Sequence, residues 1–179
     1  MPDYQQSPRE RKRARPFDAA RLRALAIAYV GKYATNSGKL RAYLKRKLSE
    51  RGWEGEALPP VDDIVGQCAE LGYVDDEAFA VGRAASLSRR GFGSTRIRAS
   101  LRAVHVDAEL AAQTSSMNGD EAIAAALVFA RRKRFVIDDD PATKRKMIAA
   151  FLRAGHNYDI VRRIIDQLKT GDDDSGARH

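Results

Sequence analysis

The side chains in this sequence that can do chemistry are mostly cations. Between Arg83 and Arg102 stand six arginines and no acid: Arg83, Arg89, Arg90, Arg96, Arg98 and Arg102. A guanidinium offers a planar fork of donors that matches the two oxygens of a carboxylate or phosphate, so this run points to anion recognition. Signs of bond-making chemistry are lacking. The histidines are His105, His156 and His179, and no two have the spacing of metal ligands. Cys68 shares an apolar helix face with Ile64 and Leu71, which suits a small buried hydrophobe better than a nucleophile. Asp75-Asp76-Glu77 and Asp138-Asp139-Asp140 each precede a helix, where the partial positive end of the helix dipole favours carboxylates, so capping explains them without a cation. Gly91-x-Gly93 is too short for a dinucleotide fingerprint, and no strand precedes it. The expectation is a non-enzyme with no catalytic residue, metal or cofactor.

Composition sets the frame for these cations. A net charge of +8 on 179 residues, with an isoelectric point near 9.8, favours an anionic partner. No apolar run is long enough to span a membrane, and the charged N-terminus lacks the apolar stretch of a signal peptide. A single cysteine cannot form an internal disulfide, and a cytoplasmic monomer is expected.

Apolar periodicity and punctuation predict about nine short helices and no strand. The first follows Asp18 and stops at Gly31. Ser37 is expected to cap the second, which carries Leu40, Leu44 and Leu48 and ends before Gly52-Trp53. Pro59-Pro60 opens the third, with Val61, Ile64, Val65 and Cys68 on one face and Gly72 at its end. Asp75 is the expected N-cap of the fourth and Gly91 lies just past its end. After the short loop Gly91-Phe92-Gly93, Ser94 is expected to cap the fifth. Asp107 caps a short sixth, and the seventh ends in Arg131-Arg132-Lys133-Arg134. Asp140-Pro141 starts the eighth, Asn157 caps the ninth, and Gly171 is its expected stop. Residues 1–16, with Arg9, Arg11, Lys12, Arg13 and Arg15, read as a disordered basic tail, and residues 171–179 as a disordered acidic one.

The helices repeat. Leu44-x3-Leu48-x3-Gly52-Trp53 aligns with Ile97-x3-Leu101-x3-His105-Val106 and with Met147-x3-Phe151-x3-Gly155-His156, with anchors 53 and then 50 residues apart. This spacing predicts three three-helix repeats, residues 17–72, 73–117 and 118–170, in an elongated all-α tandem array. The second helix of each repeat is basic. Lys39, Arg41, Lys45, Arg46, Lys47 and Arg51 in the first, the central arginines in the second, and Lys144, Arg145 and Lys146 in the third can together form a positive ridge. Such a ridge tracks phosphates or an acidic protein groove, with affinity that falls as salt rises. Stacking residues are sparse: Phe92 and Tyr43 are the exposed candidates, and Trp53 reads as a hydrophobic contact at a helix end.

The sequence resembles the RecX family, regulators of the bacterial RecA recombinase. The resemblance rests on Leu71-Gly72-Tyr73-Val74-Asp75-Asp76-x2-Phe79-Ala80, on Arg89-Arg90-Gly91-Phe92-Gly93-x3-Ile97-x3-Leu101, and on Leu40-Arg41-x2-Leu44-x3-Leu48-x2-Arg51-Gly52. It covers most of residues 20–168. The sequence departs from the family where Val104-His105-Val106 replaces Lys-Gly and an apolar residue, and where residues 136–140 are inserted. Both tails lie outside it. The resemblance implies a non-catalytic protein of recombinational DNA repair and the SOS response. It would lie in the groove of the RecA filament on single-stranded DNA and restrain ATP hydrolysis, strand exchange and filament growth. Docking then falls to Arg83, Arg89, Arg90, Arg96, Arg98 and Arg102, with Lys45, Arg46, Lys144 and Arg145. Asp75, Asp76, Phe79, Gly91, Phe92, Gly93, Ile97 and Leu101 hold the central hairpin together. The alternative is a basic helical module that binds DNA directly.

Overall fold

The computed structural model describes residues 15–135 and 140–173, with side chains to residue 167. The basic tail up to residue 14, Asp138-Asp139 and residues 174–179 lie outside the described residues. The fold is all-α. Among the described residues there are nine helices and no strand, only an isolated bridge between Phe17 and Trp53. The chain divides into two compact units, Met1–Val74 and Asp75–His179.

The first unit holds α1 (Ala19–Val30), α2 (Ser37–Arg51) and α3 (Val61–Glu70). Val61, Ile64, Val65 and Cys68 recur at the spacing of one helix face, and all four are buried against Leu22, Ala26, Leu40 and Leu44. Each such side chain removed from water contributes about 1.5–3 kcal/mol. Burial also raises the Cys68 thiol pKa, which leaves it a poor nucleophile. The segment before α1 is pinned to the turn after α2: Phe17 N–H donates to the Gly52 carbonyl at 3.1 Å, and Glu54 N–H to the Phe17 carbonyl at 2.9 Å. Ser37 does not cap α2. Asn36 has the extended backbone of an N-cap, and its side-chain oxygen accepts from Lys39 N–H at 2.7 Å. Asn36 is fully buried, so its amide is held in place to serve this role.

The second unit holds α4 (Asp76–Arg89), α5 (Ser94–Arg102), α6 (Ala108–Thr114), α7 (Gly119–Lys133), α8 (Pro141–Arg153) and α9 (Tyr158–Asp173). Two cores serve it. Ala80, Ala84, Ile97, Leu101, Val106 and Ala111 form the one within α4–α6. Phe129, Met147, Phe151, Val161, Ile164 and neighbours form the one within α7–α9. Asp75, Asp107, Asp140 and Asn157 cap their helices as expected. Asn118 closes a reciprocal capping box with Glu121, so the break before α7 is itself a helix start. Gly171 does not stop α9, which continues to Asp173; one glycine costs only about 1 kcal/mol in a helix.

The repeat alignment has a backbone counterpart. At the three aligned positions Gly52, His105 and Gly155, φ is +84°, +62° and +90°. The residue that follows turns inward each time: Trp53 packs on its core, and Val106 and His156 are buried. His105 adopts the left-handed geometry that glycine supplies in the other two repeats. α5 thus ends in the turn that ends α8, with Val106 N–H on the Leu101 carbonyl as His156 N–H is on that of Phe151. Gly52 instead ends α2 with an extended ψ of 174°.

Candidate functional site

Ser94 does not cap α5. Its N-cap is Gly93, which has no side chain to offer. The start of α5 instead meets the end of α8. Gly93 N–H donates to the Ala154 carbonyl at 3.0 Å and Thr95 N–H to the Gly155 carbonyl at 3.3 Å. The unsatisfied donors at one helix start face the unsatisfied acceptors at another helix end, and their partial charges are opposite. The approach is so close that a Cβ on Gly93 would lie 2.3 Å from the Gly155 carbonyl oxygen, and one on Gly155 2.3 Å from the Arg96 nitrogen.

The Gly91-Phe92-Gly93 loop is fixed from the same side. A Cβ on Gly91 would meet the Phe129 nitrogen at 2.6 Å, and His156 Nε2 lies 3.0 Å from the Gly91 carbonyl oxygen. His156 is buried, 5.8 Å from the Phe129 ring and 5.6 Å from the Phe151 ring. Burial lowers its pKa, and the contact with Gly91 pulls the other way. Phe92 is half-buried and packs on both cores of the unit. Tyr43 is also half-buried, stacked on Tyr29 at 4.1 Å. Neither is the freely exposed ring expected from the sequence, because each is used in packing.

This joint positions the arginines. On α5, Ile97 and Leu101 are fully buried. At 100° per residue they send Arg96 to one flank and Arg98 and Arg102 to the other. Arg98 Nε reaches Ser115 Oγ at 3.4 Å, and Arg83 Nη2 donates to Ser100 Oγ at 3.0 Å. Arg83 Nε is buried without a hydrogen-bond partner. Arg83 and Arg90 flank a shallow hollow of about 410 Å³ beside Phe79 and Leu87. The Arg90 guanidinium lies 5.5 Å from the Phe92 ring centre. Arg89, Arg90, Arg96, Arg98 and Arg102 are exposed. None of the six arginines forms an ion pair with a described carboxylate.

The other expected docking residues differ among themselves. Lys45 and Arg46 belong to the first unit, where Arg46 pairs with Glu50 at 2.6 Å and lies over the Tyr43 ring. Lys144 and Arg145 are exposed on the first turns of α8. Lys144 borders a small hollow of about 160 Å³ with Tyr158, Arg162 and Asp166.

A recess of about 490 Å³ lies among α5, α7 and α8. Arg96, Arg132, Lys133 and Arg153 line it, with Phe92 and Phe129 supplying apolar wall. Arg132 donates from Nη1 to the Arg90 carbonyl, which fixes its guanidinium against the α4–α5 turn. Of these four cations only Arg96 was singled out from the sequence as a binding residue. Arg132 and Lys133 stand out in the sequence only as the basic end of α7, and Arg153 has no signal of its own there. No sequence signal joins them, because the recess exists only once α5 has docked on the end of α8. Among the described residues no cluster of histidine, cysteine or acidic side chains has the makings of a metal site. No described helix is long and apolar enough to cross a membrane.

Comparison with known proteins bears on this arrangement. A family model described as "RecX, second three-helix domain" matches residues 75–114, which span α4 to α6. A relative named "Regulatory protein RecX" from Myxococcus xanthus (strain DK1622) is 30% identical over 170 residues, covering 87% of this chain and 89% of its own. Another of the same name, from Mycobacterium sp. (strain JLS), is 29% identical over 148 residues, covering 78% of this chain and 79% of its own. The crystal structure of RecX from Lactobacillus salivarius superposes with a TM-score of 0.68. It covers 85% of this chain and 97% of its own at 18% identity, a likeness of fold.

Proposed function

Since the chain belongs to the RecX family, we propose that it is a non-catalytic regulator of the RecA recombinase, acting as a cytoplasmic monomer. In this reading its three three-helix repeats bind the groove of the RecA filament on single-stranded DNA. They restrain ATP hydrolysis, strand exchange and filament extension. The observation that carries the reading is the state of the central arginines. Arg89, Arg90, Arg96, Arg98 and Arg102 are exposed, none has a carboxylate partner among the described residues, and the last three stand on α5, which Ile97 and Leu101 anchor. Uncompensated guanidiniums on a rigid helix fit the repeated acidic and phosphate-bearing surface of a nucleoprotein filament.

The test is a titration of recombinase ATPase on single-stranded DNA with the full chain. Hydrolysis is expected to fall at less than one chain per recombinase protomer. The Arg89→Glu/Arg102→Glu variant, which leaves the α5–α8 joint untouched, is expected to need at least roughly tenfold more protein for half-inhibition. Inhibition that survives this double reversal would rule out the docking surface. Binding to the recombinase filament no tighter than to the same single-stranded DNA alone would rule out filament binding in favour of plain DNA sequestration.

A further inference from the structure

Independently of filament regulation, we propose that the recess among α5, α7 and α8 is a binding site for the sugar–phosphate backbone of single-stranded DNA. Four long cations, Arg96, Arg132, Lys133 and Arg153, converge on it from three helices. None pairs with a described carboxylate, so their mutual repulsion is left for a ligand to relieve. The Arg132 contact with the Arg90 carbonyl spends one donor of five and pre-orients the others.

The hydrogen-bonding character of the recess selects among anions. Every polar side chain lining it is a donor, and no lining side chain can accept. An acidic peptide brings main-chain N–H groups, which would go unpaired against such a wall at a cost of about 1–3 kcal/mol each when buried. A deoxyribose–phosphate chain carries acceptors only, so nothing on it is left unsatisfied. Size selects the single strand. At about 490 Å³ the recess lies in the range of roughly 300–1,000 Å³ typical of sites for small molecules. It has room for one nucleotide of a single strand, and the half-buried Phe92 ring gives the sugar an apolar edge.

The experiment is fluorescence anisotropy of a labelled thymidine oligonucleotide of about fifteen nucleotides, with the full chain, across a salt series and without recombinase. Lys133→Ala/Arg153→Ala removes two exposed cations and leaves the cores intact. It is expected to weaken binding at least roughly tenfold and to flatten the slope of log affinity against log salt by about 1.4. Ala150→Trp fills the recess without changing charge and is expected to weaken binding as much. Arg23→Ala/Lys32→Ala, with the same loss of charge on the first unit, is expected to change affinity less than about twofold. Circular dichroism establishes that each variant is folded. The site is overturned if the Arg23/Lys32 pair matters as much as the Lys133/Arg153 pair, or if folded Ala150→Trp binds like the parent. It is likewise overturned if poly-glutamate displaces the oligonucleotide at equal charge concentration, because the recess then prefers an acidic protein. Since no recombinase is present, each outcome is separate from the fate of the filament reading.

Discussion

The first unit is one set of three helices and the second is two, and the two units treat their charges differently. In the first, Arg41 pairs with Asp62, Arg46 and Lys47 both pair with Glu50, and Arg21 pairs with Asp18 and Glu54. In the second, Arg83, Arg89, Arg90, Arg96, Arg98 and Arg102 meet hydroxyls, a ring or solvent, and no described carboxylate. The first unit thus pairs Arg21, Arg41, Arg46 and Lys47 with carboxylates and leaves others, such as Arg23 and Lys32, unpaired among the described residues. None of the second unit's central arginines has a described carboxylate. Their turns differ as well. Gly52 stands in open space, with only the Pro16 Cβ within 3.9 Å of where a Cβ would be, whereas Gly155 is pressed against the α5 backbone. One repeat turn ends a helix; its counterpart ends a helix and also holds the arginine-bearing helix in place.

The strongest way to break this comparison is to give both turns a Cβ. At Gly52 the substitution Gly→Ala strains a positive φ and little else, an expected cost of about 2 kcal/mol. At Gly155 the same change adds a clash with the Arg96 backbone, and the expected cost is about 4 kcal/mol. Urea denaturation of each variant reads both numbers. Equal losses would mean that the α5–α8 contact contributes nothing to the second unit.

Acid is expected to separate the units next. Burial lowers the His156 pKa in the folded state, so the unfolded chain takes up its proton first, at about the ordinary imidazole value of 6.5. The contribution of neutral His156 is therefore complete above that pH and is lost as pH falls through it toward the folded value. In the first unit, the hydrogen bond from Lys47 lowers the Glu50 pKa from 4.5, and that from Arg41 lowers the Asp62 pKa from 3.8. Those contributions are complete above about pH 4.5 and are lost only below it. Between about pH 7.5 and 5.5 the second unit should lose stability while the first keeps it. Trp53, the single tryptophan, reports the first unit by fluorescence, and amide hydrogen exchange reports the second. A parallel decline in both, or a second-unit decline that persists in His156→Gln, would refute the assignment.

Much of this architecture is legible in the chain. Helix starts at Asp18, Asp75, Asp107 and Asp140 follow from capping chemistry, and the anchors Leu44, Ile97 and Met147 set the repeat because their spacing is local to each helix. Two caps were misplaced, at Ser37 and Ser94, for different reasons. At α2 a better cap, Asn36, stood one residue earlier. At α5 the caps are carbonyls of Ala154 and Gly155, about sixty residues away in sequence. The same non-local contact accounts for what the sequence could not reveal of the recess. Arg96 and Arg153 are neighbours only through the Gly93–Gly155 backbone approach, and glycine pairs leave no periodic trace. Ion pairing was hidden where it is not local: Glu50 stands one helical turn from Arg46, but the Arg41–Asp62 pair joins residues 21 apart and needs the fold.

The smallest change is also the most direct test of what separates the units. Glu50 accepts from both Arg46 and Lys47 at 2.6 Å, so one carboxylate quiets two cations. Glu50→Gln keeps the shape and removes that charge. The pair is exposed, and exposed ion pairs contribute little to stability, so the Trp53-monitored denaturation midpoint should not move measurably. Binding should move instead. With Arg46 and Lys47 released, the first unit acquires the uncompensated surface of the second, and affinity for a thymidine oligonucleotide at low salt should rise by roughly twofold. The gain should fade as salt rises, because it comes from screened surface charge. If affinity is unchanged at low salt, local pairing is not what keeps the first unit from behaving like the second. The difference between them would then lie in the recess geometry alone.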